Sequence, residues 1–187
     1  FEKEEFEQIK AIGKKVFFTV SNITQQRVEY FGSDNCSHEL YCDMAWASAN
    51  FVPFMSLFEH NGNMYADGGF GTYIPISQAI QQGATDIDVI VLDSENEKVS
   101  REIRHNPFSI LLSTFQFMGR QISLKDRVIG ELMSINRQID VRLYYTPRKL
   151  IENSLIFEPK LMRQWWQEGV EYARIHEPFC HCHMPGS

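Results

Sequence analysis

The sequence predicts an α/β fold with a mainly parallel sheet flanked by helices, and three observations carry that expectation. Val16–Val20 is a β-rich, nearly continuous apolar run, the pattern of a strand buried on both faces in a parallel sheet, and Ile87–Leu92 is a second such run. Elsewhere apolar residues recur at three- and four-residue spacing, as on the inner face of a helix. The two kinds of segment alternate along the chain, which is the rhythm of strands joined by crossover helices.

Phe1 to Ile12 sets apolar residues at 6, 9 and 12 among acids and lysines, predicting a surface helix ended by Gly13. Strands follow at Val16–Val20 and Val28–Phe31. Ser37 to Asn50 reads as a helix with Ser37 as N-cap and Leu40, Met44 and Ala47 on one face. A short strand, Met64–Ala66, leads into the turn Asp67-Gly68-Gly69-Phe70-Gly71. Pro75 then opens a short helix that stops at Gly83, and the strand Ile87–Leu92 follows. Phe108, Leu111, Leu112, Phe115 and Met118 mark one helix and Leu124 to Asn136 a second; the strand Ile139–Tyr145 and a helix from Pro159 through Ala173 complete the pattern.

With 43% hydrophobic and 13% aromatic residues, the 187-residue chain can bury a sizeable core, so residues 1–175 are expected to form one unit and 176–187 a tail, partly of cloning origin. The net charge of -6 supplies no footprint for nucleic acid, and no run of Lys or Arg favours an anionic membrane, so any lipid contact is expected to be mainly apolar. No apolar run is long enough for a membrane-spanning helix. Four cysteines in two short segments do not form a disulfide framework and suggest a reducing, cytoplasmic setting, while the opening at Phe1 leaves a preceding signal peptide open.

The chemistry concentrates at one turn. A carboxylate at the C-terminal end of a sheet strand stands where open α/β sheets place their ligands, which makes Asp67 the candidate catalytic residue. Gly68 and Gly69 are expected to adopt positive φ and to leave that carboxylate uncovered. Taken alone, the turn also fits a solvated Asp-Gly bend.

The surrounding segments carry more information. Ala47-Ser48-Ala49-Asn50-Phe51-Val52-Pro53-Phe54, then Asn61-Gly62-Asn63-Met64-Tyr65-Ala66-Asp67-Gly68-Gly69, then Pro75-Ile76 and Ala79-Ile80-Gln81-Gln82-Gly83-Ala84 resemble the pattern of patatin-like phospholipases. Val16 to Phe31 is similar to the strand and hairpin that precede that family's catalytic aspartate, and Leu155 to Ala173 to its closing helix. The resemblance covers roughly the whole chain as the second half of such a domain. Many members have an asparagine shortly before the proline that follows the turn; here the stretch reads Tyr73-Ile74-Pro75, so the bracing of this loop is an open point.

The resemblance implies a lipid acyl hydrolase in which a serine attacks an acyl ester and Asp67, without a histidine, takes its proton. It implies no cofactor and no metal. The family's glycine-rich oxyanion loop and Gly-x-Ser-x-Gly elbow come earlier in the domain, and neither pattern occurs among these 187 residues. The oxyanion loop supplies backbone donors worth roughly 3 kcal/mol each. The chain alone is therefore expected to be inactive, with the first half supplied upstream or as a separate chain. A carboxylate is a weak base at neutral pH and strengthens in an apolar setting, which Phe51, Tyr65 and Phe70 are expected to provide. The expected partners are a lipid or acyl-ester substrate, reached by transient contact with a membrane surface, and the missing half. The alternative is a non-catalytic patatin-like domain that binds lipid or protein.

Other groupings read as structure. Cys180-His181-Cys182-His183 has the wrong spacing to wrap one zinc, and Asp86, Asp88, Asp93, Glu95 and Glu97 lack the ligand order of a calcium loop. The Phe108 to Met118 stripe reads as core packing, with a lipid-facing surface as the alternative. Trp165 and Trp166 point about 100° apart on their helix and read as packing, and His60, His105 and His176 receive no role.

Overall fold

The computed structural model describes residues 2–52, 54–92, 106–148, 158–177 and 179–181. The chain divides into two compact units, one made of Phe1–Pro75 and Leu111–Asp126, the other of Ile76–Ile110 and Arg127–Ser187. The Asp67 turn belongs to the first.

In the first unit, helix α1 (Lys3–Ala11) is closed at its start by a reciprocal pair between Glu2 and Glu5, and Gly13 follows its end at φ 68°. Its one buried side chain, Phe6, meets Tyr41 at 5.0 Å and His38 at 5.5 Å between ring centres. Strands β1 (Phe17–Asn22) and β2 (Arg27–Gly32) form an antiparallel hairpin, and helix α2 (His38–Ala47) starts where Ser37 caps the Leu40 amide. Tyr41, Met44 and Ala47 recur at three-residue spacing on the buried face of α2. Met44 and Ala47 join Val20 and Tyr65 in a core, with Phe31, Leu40 and Phe58 packed around it. Burying Met44 or Val20 contributes on the order of 2 kcal/mol each.

A second hairpin pairs β3 (Phe58–His60) with β4 (Asn63–Asp67) through Asn61 and Gly62, both at positive φ, and β4 also pairs with β1. The resulting sheet, in the order β2-β1-β4-β3, is antiparallel throughout. This differs from the expected mainly parallel sheet. Two tight connections, residues 23–26 and 61–62, are too short for a crossover and force neighbouring strands to run in opposite directions.

The second unit contains helix α3 (Ile76–Gln81), strand β5 (Asp86–Val91), the ends of helix α4 (Pro107–Arg137), strand β6 (Asp140–Tyr145), helix α5 (Pro159–Ile175) and strand β7 (Phe179–His181). Here β5 and β6 are parallel, from Ile87 opposite Val141 to Val91 opposite Tyr145, and β7 adds an antiparallel edge from the stretch expected as tail. The fold is thus mixed α/β, with one parallel pair among the described residues. Ile87, Val89 and Val91 are buried while Asp86, Asp88 and Ile90 face outward, so β5 is buried on one face rather than as a whole. The two expected helices at 108–118 and 124–136 are a single α4, which Gln138 ends in the left-handed conformation. Among the described residues, no helix is long and apolar enough to cross a membrane.

Candidate active site

Asp67 is the last residue of β4, and its placement follows from the strands beside it. In the β1–β4 register Val20 lies opposite Asp67, and the Asp67 amide donates to the Asn50 carbonyl at 3.0 Å, which ties the end of the strand to the segment after α2. The side chain turns back on its own loop: Oδ1 accepts from the Gly69 amide at 2.8 Å and caps a 3₁₀ turn at Gly68–Phe70. Oδ2 has no protein partner among the described residues, and the carboxylate is half-buried. One oxygen is held and the other is available, which is what a proton acceptor requires.

The two glycines serve this arrangement differently from the expectation. Neither has positive φ; among the described residues the glycines that do are Gly13, Gly62 and Gly83. At Gly68 the requirement is space, because a Cβ would fall within 2.6 Å of the Thr19 carbonyl carbon on β1. Ser48 fixes that carbonyl by donating its hydroxyl to Thr19 O at 2.8 Å. At Gly69 a Cβ would stand 3.2 Å from Asp67 Oδ1 and 3.3 Å from the Tyr73 ring, crowding the oxygen that the Gly69 amide holds.

Two of the three residues expected to form an apolar setting, Phe51 and Phe70, pack on each other. Phe51 stacks on Phe70 at 5.9 Å and on Phe54 at 5.6 Å, and Phe115 of α4 meets Phe70 edge-on at 6.2 Å. Tyr65 is instead committed to the core, with its hydroxyl donating to Glu29 at 3.3 Å. Glu29 also accepts from Asn22 at 3.0 Å and Arg27 at 2.8 Å, so the hairpin carries its own polar network. Burial and the Glu29 carboxylate both push the Tyr65 hydroxyl above its usual pKa range, which keeps it a donor.

The loop after the turn is braced by a residue that the sequence reading missed. Asp126, on α4, accepts from the Tyr73 amide at 2.6 Å and the Ile74 amide at 2.9 Å through one carboxylate oxygen. This answers the departure at Tyr73-Ile74-Pro75: a carboxylate some 50 residues downstream does the bracing. No local pattern could have signalled it. Ser48 and Asn50 were legible only as parts of a motif; Asn50 is buried, and its amide donates to the Ser56 carbonyl at 3.2 Å.

The other groupings are dispersed. No set of three or more His, Cys, Asp or Glu residues among those described is arranged to hold a metal. Asp86 and Asp88 face Arg142, at 3.6 and 2.6 Å, whereas Asp93, Glu95 and Glu97, His105, and the Cys182-His183 pair lie outside the described residues. Of the α4 stripe, Leu112 and Phe115 are half-buried and Leu111 and Met118 are exposed, and the Phe108 side chain lies outside the described residues. Cys36 and Cys42 are not in a disulfide. No family model matches the chain, and no curated protein matches it.

Proposed function

We propose that the chain is the aspartate-bearing part of a patatin-like lipid acyl hydrolase, with Asp67 as general base for a serine nucleophile. The observation that carries this reading is the half-held carboxylate: Oδ1 is fixed by the Gly69 amide at 2.8 Å, while Oδ2 is left to receive a proton at the end of a sheet strand. The linked motifs from Ala47 to Ala84 support it, because Ser48, Asn50, Gly68 and Gly69 all have contacts that shape this one turn. A serine hydroxyl placed against Oδ2 would lose its proton to Asp67 as it attacks the acyl carbonyl; the ester C–O bond then breaks, the alcohol leaves with that proton, and a water that gives a proton to Asp67 attacks the acyl-serine, releasing the carboxylic acid and the serine hydroxyl. The substrate class is phospholipids or related acyl esters, and no metal or cofactor enters the scheme. The finer fold assignment, a patatin-like sheet completed by a segment bearing the serine, is part of the same proposal.

The test is esterase activity of the full-length protein on a p-nitrophenyl acyl ester, together with fluorophosphonate labelling of its serine. Asp67→Asn should lower kcat by about 10³-fold or more, because the amide accepts no proton, while thermal melting stays close to that of the parent. Unchanged activity in Asp67→Asn would exclude Asp67 as the base. A full-length protein with neither activity nor labelling would instead indicate a non-catalytic patatin-like domain that binds lipid or protein.

A further inference from the structure

The second unit has a cavity of about 440 Å³ on the outer face of the β5–β6 pair, within the size range of small-molecule sites, roughly 300–1,000 Å³. In the parallel register Asp88 lies beside Arg142 and Ile90 beside Tyr144, on the face opposite Ile87, Val89 and Val91. Helix α5 contributes Trp165, Gly169 and Tyr172 to the lining, spaced four and three residues apart and so on one stripe. Arg148 clasps Glu168 of α5 through two bonds of 2.9 Å. The gap is open at Gly169, where a Cβ would meet nothing within 4 Å.

The lining selects by charge. Among the described residues it contains no Lys, Arg or His, and its one charged side chain is Asp88. Asp88 Oδ1 accepts from Arg142 Nε at 2.6 Å and from the Tyr144 hydroxyl at 3.3 Å, which leaves Oδ2 without a partner among the described residues. Asp86 and Asp88 share the single guanidinium of Arg142, so this edge keeps a net negative charge. A carboxylate or phosphate ligand would meet that charge, and the guanidinium beside it, Arg142, is already shared by two carboxylates. A cation would meet Asp88 and the aromatic residues Tyr144, Trp165 and Tyr172, the last of which stacks on His176 at 3.9 Å, and aromatic faces attract cations. Tyr145 already has the Arg127 guanidinium over its ring, 5.3 Å from the centre. The hydrogen bond from Arg142 holds the Asp88 carboxyl below its usual pKa range, so it is ionised at neutral pH.

We propose that this cavity binds an organic cation with an apolar body, an alkyl- or arylammonium, with the cationic head at Asp88 Oδ2 and the body between the β5–β6 face and α5. The proposal is independent of the role of Asp67. Calorimetric titration of the protein with benzyltrimethylammonium tests it, with phenylacetate as the anionic control. Saturable binding of the cation alone is expected; Asp88→Asn should weaken it about tenfold, and Gly169→Leu, whose side chain would fill the cavity, should abolish it. Asp67→Asn should bind as the parent does. Unchanged melting of Gly169→Leu ensures that its loss of binding reports the cavity and not the fold. No saturation, equal binding of phenylacetate, or undiminished binding in Gly169→Leu would overturn the proposal.

Discussion

The position of Asp67 at a strand end was legible because carboxylate, glycine and strand coincide in six residues, but the reason for Gly68 was not. Sequence reasoning assigned it a positive φ, whereas the structure assigns it a close approach to Thr19, a contact that spans 49 residues and leaves no local trace. Gly68→Ala should therefore destabilise the first unit by about 1–3 kcal/mol, read as a lower urea midpoint with unchanged slope. A loss well below that range would mean that β1 shifts freely to accept the methyl. At Cys36, burial, reinforced by Asp34, raises the thiol pKa above its usual range, and the thiol donates to the Gly32 carbonyl. The reactive species is the thiolate, so Cys36 should alkylate with iodoacetamide more slowly than a model thiol at pH 8, and the difference should shrink as pH rises.

At the scale of elements, helices and strands with strong periodicity were legible and their joints were not. The two helices expected at 108–118 and 124–136 are one α4, and Gly119 within it lies where a Cβ would stand 3.3 Å from the Tyr73 ring, so the glycine makes room for packing. The hairpin β3–β4 was missed although Asn61-Gly62 is a strong two-residue turn signal, because Phe58-Glu59-His60 is too short and too polar to read as a strand by itself. The antiparallel sheet was legible in its turns rather than in its strands. The brace from α4 leads to a prediction at this scale. Asp126→Ala should leave the Tyr73 and Ile74 amides without their acceptor, speeding their hydrogen exchange and lowering stability by about 1–2 kcal/mol. Unchanged exchange at both amides would show that the carboxylate does not hold the loop. Gly169→Ala, in the interior of α5 with open space around the new methyl, should raise stability by up to about 1 kcal/mol, seen as a higher melting temperature.

For the whole molecule, acid and base should act through different units. The Arg142 hydrogen bond lowers the Asp88 pKa, so its contribution to stability is present above the ordinary carboxyl value of 3.8 and is lost as pH falls through the lowered value. Because Asp88 is exposed, salt should screen that contribution. Tyr65 behaves oppositely: its pKa is raised above 10.0, so its contribution is full below that pH and disappears as pH climbs through the raised value. Melting curves of the parent, Asp88→Asn and Tyr65→Phe across pH should show the acid-side loss reduced in the first variant and the alkaline-side loss reduced in the second; coincident profiles would reject both assignments. The brace also sets an order of events during synthesis. Asp126 follows Tyr73 by 53 residues, so a ribosome that has just released the Asp-Gly-Gly turn has not yet made the carboxylate that steadies the loop beyond it. A nascent chain stalled short of residue 126 should therefore expose this turn to protease, and one extended past it should shield it.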